Sequence, residues 1–203
     1  MRLLYVTDRA AIGEEAIERV FRSLRAAPGL LVQIRENGSG DRELLRRTAS
    51  ARSALGPSVP LFVNRRFDVA RAAGADGVHL PSAGLPVSRV RAAVPREFRV
   101  GVSTHSTEEA VHAIEEGADL VVIGPIFETP SKARYGPPLG PEGLAGLPKR
   151  GVHGAEVFAI GGIDESRIPD LLPYADRISG VAAIRLIQES EDPRAVVKRI
   201  VAA

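Results

Sequence analysis

The stretch FRVGVSTHSTEEAVHAIEEGADLVVIG, Phe98 to Gly124, holds one full unit of the fold. Phe98 to Thr104 is a short apolar run of strand character. Ser106-Thr107-Glu108-Glu109 then offers capping hydroxyls with acids in the first helical turn, where the helix dipole favours them. Ala110, Val111 and Ile114 recur at helical spacing, Gly117 stops the helix, and Leu120 to Gly124 is a second apolar run. Strand, helix and strand follow one another with tight connections, the signature of a parallel βαβ unit.

The same alternation extends to both ends of the chain. Further strand candidates are Arg2 to Thr7, Leu30 to Arg35, Pro60 to Asn64, Gly77 to Leu80, Val157 to Gly161 and Ile178 to Ile184. Ile17, Val20, Phe21 and Leu24 carry the helical period in the first unit, and Gly74 ends the helix of the third. Eight strands in 203 residues give about 25 residues per unit. No composition break, linker or charge block divides them. An α/β fold is therefore expected, a single (β/α)8 TIM barrel over residues 1–203 with right-handed crossovers. An open doubly wound sheet would need a glycine-rich loop after its first strand, and Thr7-Asp8-Arg9-Ala10 is not one.

Composition narrows the function classes. Hydrophobic residues make up 44% and charged residues 26%, as in ordinary folded proteins. A chain of this length buries roughly 70% of its extended surface, so its core suffices without staples. The absence of cysteine excludes disulfides, thiolate metal sites and cysteine nucleophiles. The pI of 9.3 accompanies a net charge of only +2, and the arginines are scattered without interleaved aromatics, which argues against nucleic acid. With no signal-like or membrane-spanning run, a cytoplasmic protein with no membrane partner is expected. A homo-oligomer remains compatible with the sequence.

In such a barrel the strand exits build the active site. The second strand ends Gln33-Ile34-Arg35, and alternation puts Gln33 and Arg35 on one face; turned to the mouth, Arg35 would meet a carboxylate or phosphate. Its alternative partner is a neighbouring acid. Asn64 closes the third strand as a ligand or as a turn or cap residue, and His79 is a base or a hydrogen-bonded structural group. Ser103 ends the fifth strand, and His105 after it is a helix cap or a proton carrier. Gly161-Gly162 after the seventh strand and Arg185 after the eighth would form a phosphate cup. GPIFETPSK, Gly124 to Lys132, ends on one of three lysines. Its Thr129, Ser131 and Lys132 offer hydroxyls and an ammonium to an anion. The proline-rich segment from Pro125 to Gly140 is long enough for a lid.

Together Gln33-Ile34-Arg35, Asn64, Gly74 to Leu80, Gly101-Val102-Ser103, Gly124 to Lys132 and Ala159 to Ile163 resemble the thiamin phosphate synthase and TenI family, in order along nearly the whole chain. The resemblance implies a (β/α)8 barrel that binds a phosphorylated thiazole or its carboxylated precursor. In the synthase branch it also implies a pyrimidine carbinol diphosphate, which loses pyrophosphate and is captured by the thiazole nitrogen. Gln33, Arg35, Asn64, Ser103, Thr129, Ser131 and Lys132 match that branch's pyrophosphate contacts, and Gly161 and Gly162 match its phosphate cup.

Three positions depart from the synthase pattern. Asn37 replaces a lysine, and Arg65 and Gly84 replace the acids that bind Mg²⁺ in synthases. Magnesium needs carboxylate oxygens, so the metal site is dismantled. These losses and the Leu80-Pro81-Ser82 ending resemble the TenI branch, whose implied activity is a metal-independent thiazole tautomerase. That is the first reading of the sequence, with no cofactor. The tautomerase branch uses a histidine where Pro125 stands here, so His79, His105 and Lys132 become the candidate catalytic residues. One alternative is a synthase, with Mg²⁺ or with Arg65 and Arg66 carrying its charge. The other is a thiazole-phosphate binder without catalysis.

Overall fold

The computed structural model describes residues 1–36, 38–129 and 137–203. Its eight strands are β1 (Arg2–Val6), β2 (Leu30–Ile34), β3 (Leu61–Asn64), β4 (Gly77–Leu80), β5 (Arg99–Thr104), β6 (Leu120–Ile123), β7 (Glu156–Ile160) and β8 (Gly180–Ala183). Each pairs in parallel with the next and β8 closes on β1, so the sheet is a closed barrel, as expected. The expected strands agree to within one or two residues at their ends.

Helices separate the strands: α1 (Arg9–Ile12) and α2 (Glu14–Ser23), α3 (Asp41–Leu55), α4 (Phe67–Ala72), α5 (Val87–Ala93), α6 (Thr107–Glu115), α7 (Ile168–Leu171), α8 (Arg185–Gln188) and α9 (Pro193–Ala202). The sixth unit departs from the expected pattern. Among its described residues a single 3-10 segment, Pro141–Gly146, stands where an α-helix would be. Pro137, Pro138 and Pro141 lack the amide protons that a helix needs beyond its first turn.

Alternation along each strand separates two cores. Val32 and Ile34 of β2, with Leu3 and Tyr5 of β1, pack outward against the helices. Leu4, Val6, Leu31, Phe62, Leu120, Val122, Phe158 and Ala182 fill the barrel interior. Below them, Arg2 and Arg99 both pair with Glu156, and the Arg99 guanidinium lies 5.2 Å from the Phe62 ring centre. This charged plug closes the floor at the strand starts, opposite the mouth.

A repeated tripeptide ties helices to strands. Gly74-Ala75-Asp76 follows α4 and Gly117-Ala118-Asp119 follows α6, each glycine in the left-handed region. The Asp76 carboxylate accepts the Leu61 amide at 2.7 Å and pairs with Arg52; Asp119 accepts the Val100 amide at 2.7 Å and pairs with Arg91. Each aspartate thus fixes the start of the neighbouring strand and anchors the helix outside it.

Candidate active site

The mouth layer follows from the same register. Gln33 lies two residues beyond Leu31, Asn64 two beyond Phe62, and Asn64 is paired with His79, which is paired with Gly101. Adjacent strands therefore bring Gln33, Asn64, His79 and Ser103 into one row. Gln33 Nε2 donates to Asn64 Oδ1 at 3.4 Å, and His79 Nε2 lies 2.9 Å from Ser103 Oγ. The other half of the layer is aliphatic: Val122, Ile160, Ile184 and Val6 belong to or pack on the interior core. The site floor is thus divided, with amide, imidazole and hydroxyl groups over β2 to β5 and methyl groups over β6 to β1. The aliphatic half went unnoticed in the sequence, although following the alternation of all eight strands together would have found it.

His79 is 1% exposed, and burial pushes its imidazole down from the ordinary 6.5 to about 3. It is neutral at physiological pH. Its Nδ1 has no hydrogen-bond partner, and a side chain on Gly101 would come within 2.8 Å of that atom. An unpaired buried N–H costs more than an unpaired lone pair, so the proton belongs on Nε2, donated to Ser103. Ser103 then keeps its own hydroxyl proton for a ligand.

Three arginines at the strand exits, Arg35, Arg65 and Arg185, form no ion pair or side-chain hydrogen bond among the described residues. For Arg35 this answers the alternative of a neighbouring acid. Glu36, the adjacent carboxylate, is buried between Arg9 and Arg47 at 2.7 and 2.9 Å. Arg9 Nη1 also lies 2.8 Å from Glu14 but makes no hydrogen bond, so that contact acts through charge alone. Asn64 is not a cap: Arg66 occupies the N-cap position of α4, and the Asn64 side chain faces Gln33. Nor does His105 cap α6. Ser106 does so, accepting the Glu109 amide, while His105 Nδ1 donates to the Gly124 carbonyl at 2.8 Å.

The glycine pair after β7 has a second task. Gly161 and Gly162 have φ of +104° and +64°, and a Cβ on either would collide with the β6 loop, 2.7 Å from Pro125 Cα or 2.6 Å from the Glu128 carbonyl. Across this bare surface Ile126 and Phe127 donate to Ile160 and Gly161 at 2.8 and 3.0 Å, and Leu139 and Gly140 return to Pro125 and Ile126. The outgoing end of the expected lid is therefore seated on the end of β7, with Ile126 fully buried, and the returning end is seated on the outgoing one. Thr129 lies just beyond this seat. Ser131 and Lys132 lie outside the described residues, and Arg185 stands exposed at the start of α8.

The residues do not fit a magnesium ion. Magnesium is held in octahedral geometry by carboxylates, waters and substrate phosphates. Position 65 carries an exposed guanidinium. At position 84 a Cβ would stand 2.9 Å from the Pro81 carbonyl, because the loop after β4 folds back with Gly84 donating to Pro81. Asp68 is held at about 2 by its hydrogen bonds from Arg66, and Asp76 serves the opposite end of the barrel. Among the described residues no three His, Cys, Asp or Glu side chains gather as a metal site.

The residues 3–187 match the family described as thiamine monophosphate synthase, TMP-TENI. The chain belongs to this family. It is 39% identical over 188 residues to the thiamine-phosphate synthase of Methanoregula boonei, covering 91% of this chain and 86% of that one. It is 38% identical over 200 residues to that of Methanoculleus marisnigri, covering 97% and 92%. Among solved structures, thiamine phosphate pyrophosphorylase from Pyrococcus furiosus superposes with a TM-score of 0.82 at 29% identity, over 99% of this chain and 95% of that one. This chain and that solved structure thus share the barrel over nearly their whole lengths. No described helix is long and apolar enough to cross a membrane.

Proposed function

We propose that the protein joins a thiazole phosphate to a pyrimidine carbinol diphosphate, forming thiamin phosphate and releasing pyrophosphate. The thiazole nitrogen forms a bond to the pyrimidine methylene carbon as the carbon–oxygen bond to the diphosphate breaks, and the bonding electrons leave with the pyrophosphate. The observation that carries this reading is the chemistry of the mouth. It presents resident positive charge and hydrogen-bond donors, which suit a departing anion, and its buried imidazole suits proton transfer poorly. Arg35, Gln33, Asn64 and Ser103 would hold the diphosphate, with Thr129, Ser131 and Lys132 closing over it. Gly161, Gly162 and Arg185 would hold the thiazole phosphate.

The relatives' names weigh the same way and reverse the order in which the sequence alone put the two reactions. A tautomerase needs an acid or base whose pKa lies near the working pH. His79, at about 3, is a weak base.

Purified protein given both substrates should form thiamin phosphate, seen by proton NMR or as thiochrome fluorescence after oxidation. Given the thiazole carboxylate phosphate alone, it should leave the tautomer ratio at the uncatalysed rate. Rapid tautomer exchange without condensation would reject the proposal in favour of the isomerase.

A further inference from the structure

We infer that this protein holds diphosphate directly with Arg65 and Arg35, so that its reaction proceeds without a divalent cation. The inference deepens the proposed synthase reading and rests on it for the reaction. The anion site itself is argued from side chains alone.

Arg35 and Arg65 leave neighbouring strands. The pairing of Ile34 with Val63 sets Arg35 opposite Asn64, and Arg65 is the next residue. The Arg65 amide donates to the His79 carbonyl at 2.8 Å, which holds its backbone in the left-handed region at φ +68°. A long side chain in this conformation at the rim is unusual, and its neighbour emphasises the difference. Arg66 is committed to Asp41 and Asp68, the latter at 2.6 Å, so the sequence-based notion that both arginines replace the metal narrows to Arg65. Arg65 and Arg35 have no such partner among the described residues. Two planar forks, each able to bind phosphate oxygens bidentately, thus follow Gln33 and Asn64 at the exits of neighbouring strands.

Charge accounting points the same way. A metal-assisted site uses a dication held by two carboxylates, which contribute no net positive charge until the ion and ligand arrive. Here one acid position has become a cation, and the other is a glycine whose turn leaves no room for a side chain. A magnesium–pyrophosphate complex would find no carboxylate at either position, whereas bare pyrophosphate would find resident positive charge.

The test is calorimetric titration of inorganic pyrophosphate into the full chain in EDTA. Saturable binding is expected, unimproved by Mg²⁺. Arg65→Asn removes the guanidinium while suiting the left-handed backbone, so it should keep the fold and weaken binding at least about tenfold. Arg71→Gln, an exposed position on α4, removes the same charge elsewhere and should stay within about twofold. Condensation of the two substrates in EDTA is the second readout. Pyrophosphate binding that requires Mg²⁺, or equal affinities for the two variants, would overturn the inference. Condensation only with Mg²⁺ would overturn it while leaving the synthase reading intact. Tight binding with Arg65 dependence but no condensation under either condition would leave the anion site standing and reject the synthase.

Discussion

The buried imidazole of His79 makes stability depend on pH in a defined window. In the folded protein burial holds its pKa at about 3, against an ordinary value of 6.5. Between these values the unfolded chain binds a proton that the folded chain refuses. The contribution is therefore fully present above 6.5 and is lost as pH falls through the window, at about 1.4 kcal/mol per pH unit. From pH 7.5 to pH 5 the loss from this one group is about 2 kcal/mol. The window stops at pH 5 because carboxylates held low in the folded state, such as Glu43 and Asp68, begin to add acid losses of their own below it.

His79→Gln isolates the effect. The amide is neutral at every pH and can still donate to Ser103, so the variant should lose stability at pH 7.5 from imperfect packing yet lack the added slope. Urea unfolding followed by far-ultraviolet circular dichroism at half-unit steps from pH 7.5 to 5 measures both proteins. The gap between them should shrink by about 2 kcal/mol across the series. Parallel curves would refute the reasoning, since they would mean that the ring accepts its proton in the folded state without cost. The other histidines cancel in this comparison because both proteins carry them.

Phe62 fills the barrel axis with no exposed surface and receives the Arg99 guanidinium, so Phe62→Ala should lower unfolding free energy by about 3–5 kcal/mol, measured by urea titration at pH 7.5. Gly161→Ala places a methyl group 2.7 Å from Pro125 on a backbone at φ +104°, and should unseat the β6 loop. Faster hydrogen exchange of the Ile126 and Phe127 amides, with β1 to β4 unchanged, checks that outcome; unchanged exchange would refute the docking role of the glycine.

The barrel was legible because its signal is repeated. Each strand is short and apolar, each helix restarts the period, and eight such cycles leave little choice of topology once crossovers are right-handed. The sixth unit was legible as a proline-rich loop, and among its described residues prolines at 137, 138 and 141 leave only a 3-10 segment where the other units carry an α-helix. The proposed anion-binding groups were legible at Gln33, Arg35 and Asn64 as polar residues at strand ends. Their bonding was not. Whether Arg35 was free depended on Glu36 being captured by Arg9 and Arg47, partners from α1 and α3 that no local pattern connects to it. The role of Gly161 was half legible: a glycine after a strand suggests close approach, but only the folded chain brings Pro125 against it. Gly74 and Gly117 were legible as helix ends, yet the hydrogen bonds of Asp76 and Asp119 to strands β3 and β5 required the closed sheet.

The division of the mouth gives the proposed reaction a geometric reason. Capture of the methylene carbon is favoured when the thiazole nitrogen is held on the side opposite the departing oxygen, and orienting two reactants in this way removes much of the barrier's entropic part. In a closed eight-stranded barrel, β3 and β7 lie across the axis from one another. Arg35 and Arg65 stand unpaired after β2 and β3, whereas the glycine pair stands after β7 and Arg185 after β8. Anions anchored at these two places would hold the diphosphate and the thiazole phosphate on opposite rims, with both rings directed to the centre. There the aliphatic half of the floor offers Val122, Ile160 and Ile184 to ring faces that need no hydrogen bonds. In the proposed reaction the charge on Arg35 and Arg65 would lie behind the leaving group, where it would stabilise the separating anion without attracting the nucleophile's own phosphate to the same side.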